Sequence, residues 1–460
     1  MSKKIKSISF LEALLIFTIM IVLIGSSVIK FGLSPVSPII LTISLLIVWA
    51  RIRRITWKDI HVGLEDGVKT GIVPIFIFLL IGALISSWIA AGIIPAMMIT
   101  GFKLVNINFF VPSTFLVCAI IGTSIGSAFT TASTVGLALM GMGITLGFNP
   151  ALVAGAIISG AVFGDKMSPL SDSTNLSAAI AGADLFKHIR NMMWTTIPAL
   201  AISSILFFWL GRNISTSGTT DTIEQLTTTL NQHFSIGWWS AIPLIFMLGC
   251  SLFKVPAIAT LLSNIMISFI IFLIQKPQTK LSEVASIIEN GFVSQTGVPD
   301  LDTLLSRGGL ASMLGSVSLI ILTLALGGML MHFGIIEALM KPLTTKLVST
   351  ASLVIATVIG GMMTNIMIGE QYLAIILPGK AIKPSFDKSN LDPVVLSRAL
   401  EDSGAVLNAL VPWGVTGVFM ANTLGVPTLS YLPFSFFNLL CPVLSILSGL
   451  TGIGIKMKKQ

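Results

Sequence analysis

Two stretches, SGAVFGDKMSPLSDSTNLSAAIAG (159–182) and DSGAVLNALVPWGVTGVFMANTLG (402–425), hold one register 243 positions apart. Pro169, Ala178 and Gly182 of the first recur as Pro412, Ala421 and Gly425 of the second. Outside these windows the same offset carries Gly126 to Gly369 and Pro150 to Pro393. With an offset one shorter, Gly92, Ile93, Ile94 and Ala96 return as Gly334, Ile335, Ile336 and Ala338. Glycine and proline punctuate helices, so a constant offset between them implies two copies of one structural unit.

The surroundings of the two copies are apolar. The chain is 54% hydrophobic and 10% charged, against about 25% charged residues in a soluble domain. Apolar runs that suffice to cross about 30 Å of hydrocarbon lie near 8–29, 34–50, 70–91, 108–127, 190–211, 237–254, 256–275, 311–332, 351–369, 391–410 and 430–450. A barrel would alternate over short segments instead. A duplicated unit in such a chain points to a secondary transporter, whose two halves enclose a site near the membrane midplane. The first apolar run, followed by more helices and no convincing cleavage site, reads as a retained span. No G-x-x-x-x-G-K-[ST] motif is present, so the energy source is expected to be an ion gradient.

The +8 formal charge is placed for a membrane and not for nucleic acid. Lys3, Lys4 and Lys6 precede the first span, Arg51, Arg53, Arg54 and Lys58 follow the second, and Lys456, Lys458 and Lys459 lie at the C-terminal end. That pattern puts both termini and the 51–69 loop in the cytoplasm. The threonine-rich stretch from Arg212 to Ser235 then lies outside, and the two copies are inverted relative to each other. Cys118, Cys250 and Cys441 are scattered in apolar segments, which implies neither a disulfide framework nor a metal site.

The expected fold is an all-α polytopic membrane protein with two inverted-topology repeats, broken helices and re-entrant hairpins. Residues 1–69 supply N-terminal helices and a loop, 70–211 the first repeat, 212–310 linker helices and loops, 311–429 the second repeat, and 430–460 a last helix with a basic tail.

Polar groups collect where the apolar pattern breaks. GTSIGSAFTTAST (122–134) is dense in small residues and hydroxyls, Thr123 and Ser127 among them. It suits either tight helix packing or an unwound element that lines a cavity. The second break, around Pro169, carries Asp165, Lys166, Ser168, Ser171, Asp172, Thr174 and Asn175. A charge at the bilayer centre costs about 2.5–3.5 kcal/mol on insertion scales, so charges kept there usually serve function. Against that reading, Asp165 could pair with its neighbour Lys166. Ser171, Asp172 or Ser173 could cap a helix that resumes at Thr174. In the second copy, Asn365 and Glu370 flank Gly369, and Glu401 and Asp402 follow Arg398. Arg398 and Asp402 have the spacing of an i,i+4 ion pair. His61, His188 and His233 read as loop or interface residues and His332 as packing.

These stretches resemble the NhaC family of sodium/proton antiporters, a family that includes a malate/lactate exchanger branch. The resemblance rests on GTSIGSAFTTASTVGLALMGMG (122–143), GDKMSPLSDSTNL (164–176), GFVSQTGVPDLDTLLSRGGLASM (291–313), TNIMIGEQYLAIILPG (364–379) and SRALEDSGAVLNALVPWGVTGVFM (397–420). It implies a multi-pass transporter of the cell membrane, not an enzyme. Na+ and H+ would be the transported or coupling ions, with no other cofactor and with a homodimer left open. It places the ion and substrate region at Asp165, Ser168, Asp172, Thr174 and Asn175, facing Asn365, Glu370, Glu401 and Asp402. We expect Na+ at Asp165, Asp172 and Glu370. The rival is a Na+- or H+-coupled carrier of a small organic acid, such as malate or lactate, or of an amino acid. Glu370, the pair Leu407-Asn408 and Gly414 stand where family members often carry Asp, Thr-Ser and Asn. Fewer fixed oxygens and more room there would suit an organic substrate.

Overall fold

The computed structural model describes residues 8–104, 109–212, 219–253, 255–342 and 349–458. Lys3, Lys4, Lys6 and Lys459 of the basic clusters lie outside them. Among the described residues the chain is helical, apart from turns, short linkers and an isolated bridge between Leu391 and Met457. Among the described residues eight helices are long and apolar enough to cross a membrane, or up to eleven if each of three bent pairs is one span. Exposed apolar side chains such as Leu11, Ile205 and Ile274 clothe their outer faces, as a lipid solvent requires.

The shared punctuation seen in the sequence is built as shared geometry. Gly126 ends the Phe110–Ile125 helix at φ 73° and Gly369 ends the Thr350–Ile368 helix at φ 70°. Gly182 and Gly425 close the Asp172–Ala181 and Val415–Leu424 helices at φ 79° and 72°. Only glycine takes this left-handed conformation without a Cβ penalty, which is why these positions recur. Pro150 and Pro393 each open a helix at its first turn, where a missing N–H costs nothing. Even the residues after the first glycine correspond: Ser127 caps the N–H of Thr130 and Glu370 caps that of Leu373.

Several expectations change in the structure. The 122–134 stretch is not a long unwound element; its break is confined to Gly126 and Ser127. A span runs on from Ala128 to Thr145 through a widened π-helical turn at Ala132–Gly136. The Pro150–Met167 helix, read as interrupted, is continuous to Met167. It can be so because Gly160 and Gly164 let it sit directly against the Phe110–Ile125 helix. A Cβ on Gly164 would run into the backbone of Gly122 and Thr123, the close approach that small residues permit in membranes. The chain resumes at Asp172 and not Thr174, with Ser171 as the cap. The 51–69 loop contains a helix, Trp57–Thr70, capped by Thr56. Its Gly63 and Gly67 press on Met329 and Gly328 of the Leu310–His332 helix, while Glu65, Asp66 and Lys69 stay exposed.

Candidate functional site

The two breaks of the first copy and the first break of the second meet around a cavity of about 870 Å³. Asp172 and Asn175 line it and are exposed, as are Thr70 and Val73. Asp165 is half-buried on its wall, and Glu370, Gln371 and Tyr372 come from the second copy. Glu370 is buried and spends one carboxylate oxygen on the Leu373 N–H at 2.8 Å. Ser127 also lines the space. The inner wall is aromatic: Phe78 and Phe129 stack edge-on against Phe419, with ring centroids 4.9 and 4.8 Å from it.

Thr123, Ser168, Thr174 and Asn365 do not line the cavity, and they and Asn175 are held in scaffold hydrogen bonds. Thr123 donates to the carbonyl of Ala119 within its own helix. Ser168 Oγ accepts the N–H of Leu170, and Asn175 Nδ2 donates to the carbonyls of Pro169 and Ser171. Thr174 Oγ1 donates to Lys166 O at 3.0 Å, satisfying a carbonyl that the helix end leaves open. Asn365 donates to the carbonyls of Ser403 and Gly404 and accepts from Asn408 Nδ2 at 2.8 Å. Asn408 Oδ1 in turn accepts the Thr416 N–H. This amide relay holds the Val411–Gly414 break. Asn408 is therefore committed to the scaffold, and neither it nor Leu407 nor Gly414 lines the cavity. Their departure from the family pattern adds no room or oxygen there.

Neither local ion pair that the sequence allowed as an alternative is formed among the described residues. Lys166 does not turn to Asp165; it forms a salt bridge with Asp402, with side chains 1% and 0% exposed. A charge with no water around it needs an opposite charge in contact, and Asp165 faces the cavity instead. Arg398 does not take Asp402 at i,i+4 but donates to Gly454 O and Ser448 Oγ. It can do so because the helix widens into a π turn at Glu401–Ala405. That turn also aims Glu401 at Ser173 and Ser177 of the Asp172–Ala181 helix. Glu401 and Asp165 share a small recess beside Gln371 and Thr416. The sequence reading missed Ser173 and Ser177 as carboxylate partners, although their i,i+4 spacing on a short helix signalled a common face. It also misplaced His188, which is fully buried on the Leu185–Gly211 helix.

A carboxylate-bearing cavity between two helix-breaking units in a membrane bundle fits an ion carrier, and the comparisons agree. A model described as "Na+/H+ antiporter family" matches residues 160–453. The chain belongs to this family. It is 40% identical over 96% of its length to the Na+/H+ antiporter NhaC of Alkalihalophilus pseudofirmus, covering 96% of that protein. It is 38% identical over 96% of its length to NhaC of Bacillus subtilis, covering 98% of it. A malate-2H+/Na+-lactate antiporter of Bacillus subtilis is 34% identical over 86% of this chain and 85% of its own.

The Lys166–Asp402 pair ties the two copies together. Removing one partner strands a buried charge and should cost about 3–5 kcal/mol. Lys166→Met and Asp402→Leu are therefore each expected to lower the thermal midpoint of purified protein sharply. The double variant should recover most of the loss, and a double variant no more stable than either single one would show that the pair does not join the copies.

Proposed function

We propose that this chain is a Na+/H+ antiporter in which Asp165, Asp172 and Glu370 meet the ion, Asp165 first among them. One observation carries the reading: the cavity wall holds these three carboxylates and, among the described residues, no lysine or arginine. Such a wall attracts cations and repels anions. A carboxylate withdrawn from bulk water is stabilised by either a proton or a bound cation, so the two compete for it. Serine and threonine hydroxyls and the backbone oxygens of the breaks complete the coordination. Competition at a site that faces one side of the membrane at a time is sufficient for exchange.

The shared punctuation of the copies supports their alternation about this site. The basic clusters support a cytoplasmic mouth, an outside polar loop and therefore inverted repeats. The cavity volume supports a second reading, coupled movement of a small organic acid or amino acid, since about 300–1,000 Å³ is the size of a small-molecule pocket. The relative that exchanges malate and lactate keeps that reading in play.

In proteoliposomes with a pH-sensitive dye inside, Na+ alone is expected to drive proton movement. Asp165→Asn should reduce it below half the wild-type rate while the protein still purifies as a folded species. A response that needs malate, lactate or an amino acid would select the second reading. Orientation has its own check: in intact cells a cysteine at Glu224 should label from outside and one at Lys58 should not, and the reverse pattern would overturn the inversion.

A further inference from the structure

The stretch GFVSQTGVPDLDTLLSRGG (291–309) lines no part of the cavity. With the Leu281–Asn290 helix before it, it forms a hairpin that Phe292 N–H closes on Arg307 O at 3.2 Å. Asp302 fixes its turn, accepting from the N–H groups of Thr296 and Gly297 and from the hydroxyls of Ser294 and Thr296. The hairpin is docked on the first copy. Gly309 N–H donates to Gly82 O at 2.7 Å, and Gly308 lies so close to Ser86 that a Cβ would not fit between them. Leu304 fills the notch left by Gly141 on the Leu137–Thr145 helix. Ser86 stands about 20 Å along the Ile72–Ala90 helix from the exposed, cavity-lining Val73.

From this docked hairpin Arg307 reaches across to the second copy. Its Nη1 donates to Thr423 O at 3.5 Å, near the end of the Val415–Leu424 helix. The N–H groups of Gly425 and Val426 both turn to Ala421 O. Thr423 O is therefore one of the carbonyls that a helix end leaves open, where a cation is favoured. The first copy repeats the arrangement. Gly182 and Ala183 turn to Ala178 O, and Lys383 Nζ donates at 3.2 Å to Ile180 O, 243 positions before Thr423. Lys383 comes from the Gln371–Lys388 helix within the second copy, whereas Arg307 comes from the linker ahead of it. The Val415–Leu424 helix thus meets three layers in turn. Thr416 lines the cavity, Phe419 closes on Phe78 and Phe129 of the first copy, and Thr423 takes Arg307.

We propose that this hairpin is the outer gate of the carrier and that Arg307 is its latch. The inference rests on the antiport reading with its cytoplasmic mouth, and adds the closure on the opposite side. Two spans separate the hairpin from the outside loop at 212–235, so it returns to that face. Beyond the cavity, the aromatic contact and Arg307 hold the two copies together. Alternating access opens one side as the other closes, so the contact between copies on the closed side is the one that must part. When the site turns outward, the Val415–Leu424 helix leaves Arg307, Phe419 leaves Phe78 and Phe129, and water solvates the guanidinium and Thr423 O. Asp302 keeps the turn in shape, so Arg307 is presented again on the return. The Lys383 contact differs. It lies beside Leu185, which lines the cavity, and it is kept while that side is open, so it caps a helix and does not gate.

The test is Arg307→Gln in right-side-out and inverted membrane vesicles, read as the Na+ concentration that half-saturates exchange on each face. A latch holds the carrier inward, and apparent affinity on the outer face scales with the outward fraction. The expected result is an outside constant lowered about fivefold and an inside constant that does not fall, with Arg307→Lys, which keeps a cation at Thr423 O, within about twofold of wild type. Should Arg307→Gln not insert as folded protein, Gly425→Ala carries the test with the same fall expected, because its Cβ would lie 2.7 Å from Arg307 Nη2 and displace it. Both constants at wild-type values, or both changed by one factor, would overturn the latch, and a fall confined to the inside would overturn its outer placement. Wild-type vesicles that exchange no Na+ for protons would overturn the antiport reading instead. Labelling then decides the gate: a cysteine at the buried Thr423 should react from outside about fivefold faster with Arg307→Gln than with Arg307 present, and equal rates would overturn it.

Discussion

The buried ion pair between Lys166 and Asp402 is the constraint around which the two copies are arranged. Each charge sits where water does not reach, so neither can be kept without the other. Their union fixes how the break of the first copy stands against the π turn of the second. Asp165, one residue before Lys166, is thereby turned to the cavity, and Glu401, one residue before Asp402, is turned to Ser173 and Ser177. One pair at the centre thus sorts four charged groups into two that hold the scaffold, Lys166 and Asp402, and two that meet in a small recess, Asp165 and Glu401. Such a pair contributes register more than net stability, since its desolvation offsets much of its attraction.

Much of the site was legible in the sequence because helix ends obey local chemistry. Positive-φ glycines, first-turn prolines and hydroxyl caps are read from a handful of residues, and Gly126, Pro150, Gly182 and their counterparts ended or opened helices as their spacing implied. Six of the eight long apolar spans among the described residues were visible from apolar length, while Ala128–Thr145 and Pro150–Met167, rich in small residues and hydroxyls, were not. Of the polar residues near Pro169, Asp165, Asp172 and Asn175 line the cavity, joined by Ser127 and Glu370 from other breaks, while Ser168, Ser171 and Thr174 do not.

What stayed hidden depends on contacts between distant segments. Lys166 and Asp402 are paired across 236 positions, and nothing local distinguishes that pairing from the nearer ones with Asp165 and Arg398. The π turn at Glu401–Ala405, which defeats the i,i+4 geometry, leaves no mark in a pattern read at helical period. The continuity of the Pro150–Met167 helix was masked by its glycines, which serve close packing against Gly122 and resemble breakers when read alone. The histidine at position 188, read as a loop or interface residue, stands between Lys187 and Arg190, which the structure leaves exposed, while its own face of the helix is buried.

The central claim is that one set of cavity carboxylates takes either Na+ or protons. Its most direct test is the pH change of a weakly buffered solution of purified protein on addition of Na+, with no membrane gradient present. Competition predicts that protons are released as Na+ binds, in wild type and not in Asp165→Asn, and that acidification weakens Na+ binding. Sodium binding with no proton release, at the same affinity across pH, would contradict it.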